Sequence, residues 1–417
     1  MHRVFWTYWA AGTISATGSA VTVVALPIAA LTLLQASPQQ VGLLTAAGFV
    51  AWLVIGLPAG VLAQRLPLRG TQVAMDLLRA AALASVPLAW WAGHLTFAHL
   101  VVTALVVSFA TVLFDVSNST FLPSIVPKEE MQRRNSLMSG THAASSLGGP
   151  ALGGLLVQLT GAAAALGADA VSYLISAALL RSLPAREVAA PPVWPPVRQM
   201  IREGWHFVSR HPVMAPFMWD ATVINFVCGA QMALFAVYLL RVQDAPPVLV
   251  GVLLAAEGVG ALLGAAATPR ITGALGTARA SVLASVGTAV FALVIPAGAG
   301  LAALVLFALG NIGFAASVAL VSISTRTYRM TATPPELLPR VMATVRFVSW
   351  GAIPVGSVTA GLAAGVVGAR GALWAAAVVA WLGPAILLRS QVRSLRDLDD
   401  HASPRADAEP AGVVETA

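Results

Sequence analysis

Charge, lysine and cysteine are what this 417-residue chain has least of. Only 10% of its residues are Asp, Glu, Lys or Arg, against roughly a quarter in an ordinary soluble domain. The single cysteine, Cys228, excludes an intrachain disulfide and a cysteine-built metal centre. The single lysine, Lys128, sits in Pro127-Lys128-Glu129-Glu130. A phosphate-cradling GxxxxGK[ST] loop is therefore absent, and direct ATP coupling by this chain lacks its lysine. HExxH and GxSxG are absent too, so enzymatic hydrolysis has neither a metal nor a nucleophile candidate, and nothing in the sequence asks for a cofactor.

What is abundant is apolar length. Hydrophobic residues make up 58% of the chain and the mean hydropathy is +0.82. Crossing the hydrocarbon takes about 20 apolar residues per helix. Twelve segments qualify: 5–34, 40–63, 71–92, 98–122, 137–159, 162–183, 212–240, 247–268, 278–298, 300–324, 341–367 and 369–388. The first is too long for a cleavable signal and is read as part of the bundle. The fold expected is an all-α membrane protein of twelve transmembrane helices in two six-helix bundles.

The few charges are placed asymmetrically. Arg3, Arg65, Arg69, Lys128, Arg133, Arg134, Arg270, Arg279, Arg326, Arg329, Arg340 and Arg389 fall at one set of alternate helix ends, whereas the opposite set holds Arg241 and Arg370. By the positive-inside rule both termini are cytoplasmic; the high Ala, Gly and Arg content with a single Lys suggests a GC-rich bacterial genome, and so a bacterial inner membrane. The net charge of +7 is thus a membrane-topology signal rather than a nucleic-acid footprint.

The apolar segments also occur twice over. Val41-Gly42-Leu43-Leu44-Thr45-Ala46-Ala47-Gly48 returns as Val250-Gly251-Val252-Leu253-Leu254-Ala255-Ala256-Glu257, and the Glu130–Arg134 spacing returns as Glu336–Arg340. Two copies of one membrane bundle are how many secondary transporters are built. Residues 1–183 form the first bundle, 184–211 a linker and 212–390 the second bundle; 391–417, rich in Asp, Ala, Pro and Glu, reads as a disordered tail. In the linker, Val197, Met200, Ile201, Trp205 and Val208 share one helical face, as an interfacial helix requires; the alternative is an unstructured tether.

Three stretches resemble the major facilitator superfamily, and within it the drug- and siderophore-exporter branch of macrolide-efflux and enterobactin-exporter type. Gly149-Pro150-Ala151-Leu152-Gly153-Gly154 is similar to the GPxxGG core of that branch's antiporter motif. Its glycines permit close helix contact, and its proline removes a backbone donor. Gly60 to Arg69 resembles GxLaDRxGRR, with Gln64, Pro67 and Leu68 replacing motif residues. The resemblance implies a cytoplasmic latch through Gly60, Arg65 and Arg69, weakened by these replacements unless Arg69 pairs with Asp115. Asp169 to Ala177 is similar to the sixth helix of the branch, which makes Asp169 a structural residue. Relatives often carry an acid after a glycine in the first helix; here Gly18 is followed by Ser19.

The resemblance also implies a central cavity lined by the first, fourth, seventh and tenth spans. Each carries a polar stripe: Ser15, Ser19 and Thr22; Ser108, Thr111, Asp115 and Asn118; Asp220, Gln231 and Tyr238; Asn311, Ser322 and Thr325. Polar groups facing lipid are expensive, so these stripes face water or protein. Asp115 belongs either to the latch or to the cavity. Asp76 and Arg79, three apart, are expected to pair.

Glu257, with no basic residue at its depth, is the expected proton-coupling acid and Asp220 the second; the plainer reading of Glu257 is a hydrogen bond to a neighbouring helix. His142 is a further titratable group, more readily explained by packing. The functional expectation is a monomeric, proton-coupled exporter of hydrophobic or weakly cationic amphiphiles, such as antibiotics or siderophore-like metabolites. Alternatives are a nutrient importer or facilitator, and a non-transporting receptor-like membrane protein.

Overall fold

A computed structural model describes residues 2–55, 67–126, 128–184, 197–334 and 337–402. Among them there is no strand. The first bundle comprises α1 (His2–Leu33), α2 (Pro38–Ile55), α3 (Leu68–Trp91), α4 (Phe97–Ile125), α5 (Lys128–Thr160) and α6 (Ala162–Arg181). A linker helix follows, α7 (Val197–Arg210). The second bundle comprises α8 (Met214–Val237), continued by a π turn at Tyr238–Val242, then α9 (Pro247–Leu275), α10 (Thr277–Val294), α11 (Gly300–Ala332), α12 (Leu338–Trp350), α13 (Ala352–Ala380) and α14 (Leu382–Arg389).

Ten helical stretches among the described residues are long and apolar enough to cross a membrane. The last, Leu338–Arg389, is two crossings. At Gly368 the backbone takes φ +75°, a left-handed value that reverses the chain at little cost only for glycine. The fifth helix falls short by composition, because Ser145, Ser146, Pro150, Gln158 and its many glycines dilute its apolar stretch. It is nevertheless packed between α1 and α9. The described helices are roughly consistent with the twelve expected crossings, in the expected order, the second of them (40–63) being described as far as Ile55. Helices suit this setting because each satisfies its own backbone where no water can. Large apolar residues such as Leu88, Val102, Val171, Val252 and Val366 stay exposed on the outer surface, where lipid covers them.

Within the first half α1 packs on α5 and α6, and α3 on α4 and α6; within the second, α8 packs on α13 and α9 on α11. The halves meet mainly where α2 crosses α13 and where α5 crosses α9. Both crossings are glycine on glycine. Gly42 lies on the backbone of Ser357 and Gly361, and Gly154 on that of Pro247 and Gly251, with no room for a Cβ at either. The duplicated Val-Gly motif therefore places one glycine at each of two matching crossings. Both lie at the end of the molecule opposite the arginine-rich one, as does Arg241, whose Nη2 donates to the Leu31 carbonyl of the first half at 3.5 Å.

The linker helix is docked on protein as well as presented outward. Gly204 and Val208 are buried, Gly204 lies against the Arg340 carbonyl and Thr344, and Glu203 pairs with Arg340. Trp205 stays exposed beside Trp219. The start of the expected disordered tail is also ordered. Residues Gln391–Ser394 and Leu398–Ala402 form 3-10 turns, with Val392 and Leu398 buried. Asp397 accepts hydrogen bonds from the Thr277 backbone N–H at 2.8 Å and from its hydroxyl at 3.3 Å. A carboxylate at the first turn of α10 meets unpaired N–H groups and the positive end of the helix dipole, which anchors this stretch.

Candidate functional site

A cavity of about 710 Å³ opens between the halves on the arginine-rich side of the glycine crossings. The first half contributes Trp52 from α2, and Asp115 and Val116 from α4. The second contributes Phe217, Ala221, Ile224, Asn225 and Cys228 from α8, Val318, Val321, Ser322, Thr325, Arg326 and Arg329 from α11, and a run from Met342 to Gly351 that includes Arg346 and Trp350. The volume suits a drug-sized molecule. The lining is apolar and aromatic with a few fixed charges, three of them positive. Arg346 bridges the halves: its guanidinium carbon lies 4.2 Å from the centroids of both the Trp52 and Trp350 rings.

Of the residues expected to line the cavity, Asp115, Ser322 and Thr325 do so. Several others are taken up by packing inside a bundle. Ser19 donates to the Ser15 carbonyl at 2.8 Å and bonds the Tyr173 hydroxyl at 2.9 Å, and Thr22 donates to Asp169. Tyr8 donates to both the backbone and the side-chain oxygens of Asn118, and Asn311 donates to the Leu253 carbonyl at 3.3 Å. Tyr238 accepts from Gln243 at 3.0 Å and stacks on Phe307. Gln231 is buried on α8 and Thr111 half-buried on α4, neither lining the cavity.

The pairing of Arg69 with Asp115 does not occur. Arg69 Nη1 donates to the Leu183 carbonyl at 2.5 Å, closing the end of α6, and so stays within the first bundle. Gly60 and Arg65 lie outside the described residues, as does Glu336. Asp115 instead lies near Arg79 and, across the cavity, Arg346, with the His142 ring also nearby. In the antiporter motif Gly149 and Gly153 lie on α1 at Ala20 and Val21, while Gly154 and the Pro150 carbonyl meet Gly251 of the second half. The motif thus joins its own bundle and its partner through one helix.

Glu257 sits on the inward face of α9. Gly251 and Gly258 of that helix face α5, Gly260 and Gly264 face α11, and Val252, Val259 and Leu263 are exposed outward. With 3.6 residues per turn, Glu257 falls in the remaining quadrant, towards the axis between the halves. It is exposed there, and its charge lies within reach of Cys228, a lining residue. Asp220 turns away from the cavity. It is fully buried in the second bundle, accepts from Ser285 Oγ at 2.6 Å and abuts Gly383, and its Oδ2 has no hydrogen-bond partner. Among the described residues no group of three His, Cys, Asp or Glu side chains could hold a metal ion.

The lining residues that the sequence did not announce are Trp52, Asn225, Arg326, Arg329, Arg346 and Trp350. Arg326 and Arg329 read as helix-end charges. Arg346 sits in an apolar segment, with no pattern to mark which way it faces.

Comparison with known proteins agrees with this architecture. The model of the MFS_3 family, described as "Transmembrane secretion effector", matches residues 1–416. A relative in Bacillus subtilis (strain 168), the uncharacterized MFS-type transporter YfiS, is 27% identical over 349 residues, 82% of each chain. Among solved structures, the nucleoside transporter NupG superposes with a TM-score of 0.77 at 12% identity, covering 92% of this chain and 98% of that one. A bacterial homologue of the iron transporter ferroportin superposes with a TM-score of 0.74 in its inward-facing state, at 14% identity over 93% of this chain and 98% of that one. In its outward-facing state the score is 0.62, at 16% identity over 94% and 100%. A cavity walled by both halves of a duplicated twelve-helix bundle is the architecture of a membrane transporter, not of an enzyme, and the chain belongs to the MFS_3 family of the major facilitator superfamily.

Proposed function

We propose that this multi-pass membrane protein is a proton-coupled exporter that moves amphiphilic small molecules across a bacterial inner membrane by alternating access. Antibiotics and siderophore-like metabolites are the classes in view. The observation that carries the reading is the single volume of about 710 Å³ walled by both halves and closed at one end by the two glycine crossings. Rocking the halves about that site exposes it to one side and then the other. The arginine-rich end is the cytoplasmic one by the positive-inside rule, so the cavity faces the cytoplasm, where an exporter collects its cargo. The better likeness to the inward-facing than to the outward-facing ferroportin homologue agrees with this. The family's description as a secretion effector, and the GPxxGG-like seam at Gly149 to Gly154, favour efflux over import.

Proton coupling needs an acid that meets water in one state and is sheltered in the other. The exposure of Glu257 on the inward face of α9, beside a cavity-lining residue, supports giving it this role. Asp220, sealed behind Ser285, is the second candidate. The test uses proteoliposomes with an imposed pH gradient, internal pH being recorded as lipophilic cations, macrolides and siderophores are added. Wild type is expected to release or take up protons when its cargo is present. E257Q loses this flux, and D220N measured beside it separates the two acids. An E257Q variant that still transports with undiminished proton movement removes Glu257 from the role. Cargo movement without any proton movement in wild type makes the chain a facilitator.

A further inference from the structure

Three arginines share the cavity with one acid. Arg326 and Arg329 lie three residues apart on α11, so they project from neighbouring positions of one helix face, and Arg346 comes from α12. Among the described residues Asp115 is the only carboxylate in the lining. Among the described residues none of the three arginines has a carboxylate within 4 Å. Arg329 is part-buried, and its Nε is enclosed without a hydrogen-bond partner. Arg326 is near enough to both others for their charges to repel.

Clustering like charges beside a low-dielectric wall is unfavourable unless something of opposite sign joins them. Arginines at helix ends often reach to the interface, and that accounts for Arg326 taken alone. It does not account for Arg346, which packs against a tryptophan from each half, nor for the enclosed Nε of Arg329. The two rings, 5.5 Å apart at 71°, pack against the Arg346 guanidinium without sandwiching it, and its N–H edge makes no hydrogen bond or ion pair among the described residues. That edge is the part which binds a carboxylate or phosphate through two parallel hydrogen bonds. The rest of the lining is mostly apolar, with Val116, Ile224, Val318 and Val321 among it, and carries the neutral polar side chains of Asn225, Ser322, Thr325 and Ser349.

We propose that this cavity is a binding site for amphiphilic organic anions. The acidic group sits on Arg326, Arg329 and Arg346, and an aromatic or aliphatic body lies against Trp52, Trp350 and the valines. A cation would meet three like charges and one carboxylate, so the cargo's charge is negative rather than the weak positive charge expected from the sequence. Trp52 and Asp115 belong to the first half and the arginines to the second, so a bound anion touches both halves. The inference deepens the transport reading and rests on it only for the steps after binding.

The test compares two probes with one aromatic body and opposite charge, 2-naphthoate and 2-naphthylmethylammonium, by equilibrium dialysis against the full-length protein in nanodiscs. The anion is expected to bind saturably and at least about tenfold tighter than the cation, the size of one charge-assisted hydrogen bond. R329Q and R346Q each weaken it by about the same factor, and R346K does not restore it, because an ammonium lacks the planar fork. D115N tightens it by removing the one repulsive carboxylate, a gain that a misfolded variant cannot mimic. Equal or tighter binding of the cation, no saturable binding of the anion, or unchanged affinity in the triple R326Q/R329Q/R346Q variant would each overturn the assignment. Anion binding without movement across the membrane leaves this site standing and removes the transport reading. Proton-linked movement of cations, with no preference for anions, does the reverse.

Discussion

Arg79 lies in the interior of the first bundle, 2% exposed, paired with Asp76 three residues before it. Its guanidinium carbon lies 4.3 Å from the ring centroids of both Phe114 and Tyr173, and Asp76 accepts a second hydrogen bond from Ser176 at 2.6 Å. A buried pair of this kind is weak evidence of net stabilisation, but breaking it is costly because one charge is left alone. The two ways of breaking it are unequal. An arginine stays protonated in any protein, whereas a carboxyl can neutralise itself by taking up a proton. D76N should therefore cost about 3–5 kcal/mol of stability and R79M distinctly less. Thermal unfolding in detergent reads both, and an R79M variant as unstable as D76N contradicts the argument. The pair itself was legible in the sequence, because i,i+3 spacing on one helix brings the groups together. Its surroundings were not. The rings come from α4 and α6, and no local pattern says which rings will close over a charge.

At the level of the helix, the linker illustrates what periodicity reveals and what it leaves out. The apolar face of Val197–Arg210 was readable, but its docking partner was not, since Glu203 and Arg340 are 137 residues apart. That pair is part-exposed, 28% for Glu203 and 24% for Arg340, so it is worth no more than about 1 kcal/mol. Reversing one charge in E203R should loosen α7 from α12 and expose Arg202 and Arg210 to trypsin. The double variant E203R/R340E should restore protection. G204L should be worse than E203R, because its side chain would collide with the Arg340 backbone as well as with the Thr344 side chain. Equal proteolysis of all four proteins would mean that the linker is held by something else.

The cavity stripes mislead for a related reason. Period 3.6 gives the inward face of a helix but not whether a bundle neighbour or the cavity meets it. Thr22, Asn118 and Asn311 are met by Asp169, Tyr8 and the Leu253 carbonyl. Arg326 and Arg329, which read in sequence as helix-end charges, line the cavity instead.

For the molecule as a whole, the duplication in sequence becomes a mechanical symmetry. Gly154 on Gly251 and Gly42 on Gly361 are the same contact made twice, once with each half supplying the partner. Further along the same helices, Gly149 packs on Ala20 of α1 as Gly356 packs on Phe226 of α8, so the second half carries an unannounced counterpart of the antiporter motif. These crossings close the end opposite the cavity, and in alternating access they must part when the cavity closes. A side chain forced into them should hold them apart.

The chain supplies its own reporter, since its one cysteine, Cys228, lines the cavity. In wild type a membrane-impermeant thiol reagent should label Cys228 faster from the arginine-rich side than from the opposite side. In G154V/G251V, and separately in G42V/G361V, labelling from the opposite side should rise and transport should fall, because each valine Cβ would overlap the facing backbone. The two pairs act at matching positions, so they should shift labelling in the same direction. A shift from one pair alone would make the symmetry decorative. No shift from either, in variants that still bind cargo, would mean that the glycine crossings are not the seal and that the outer gate lies elsewhere in the bundle.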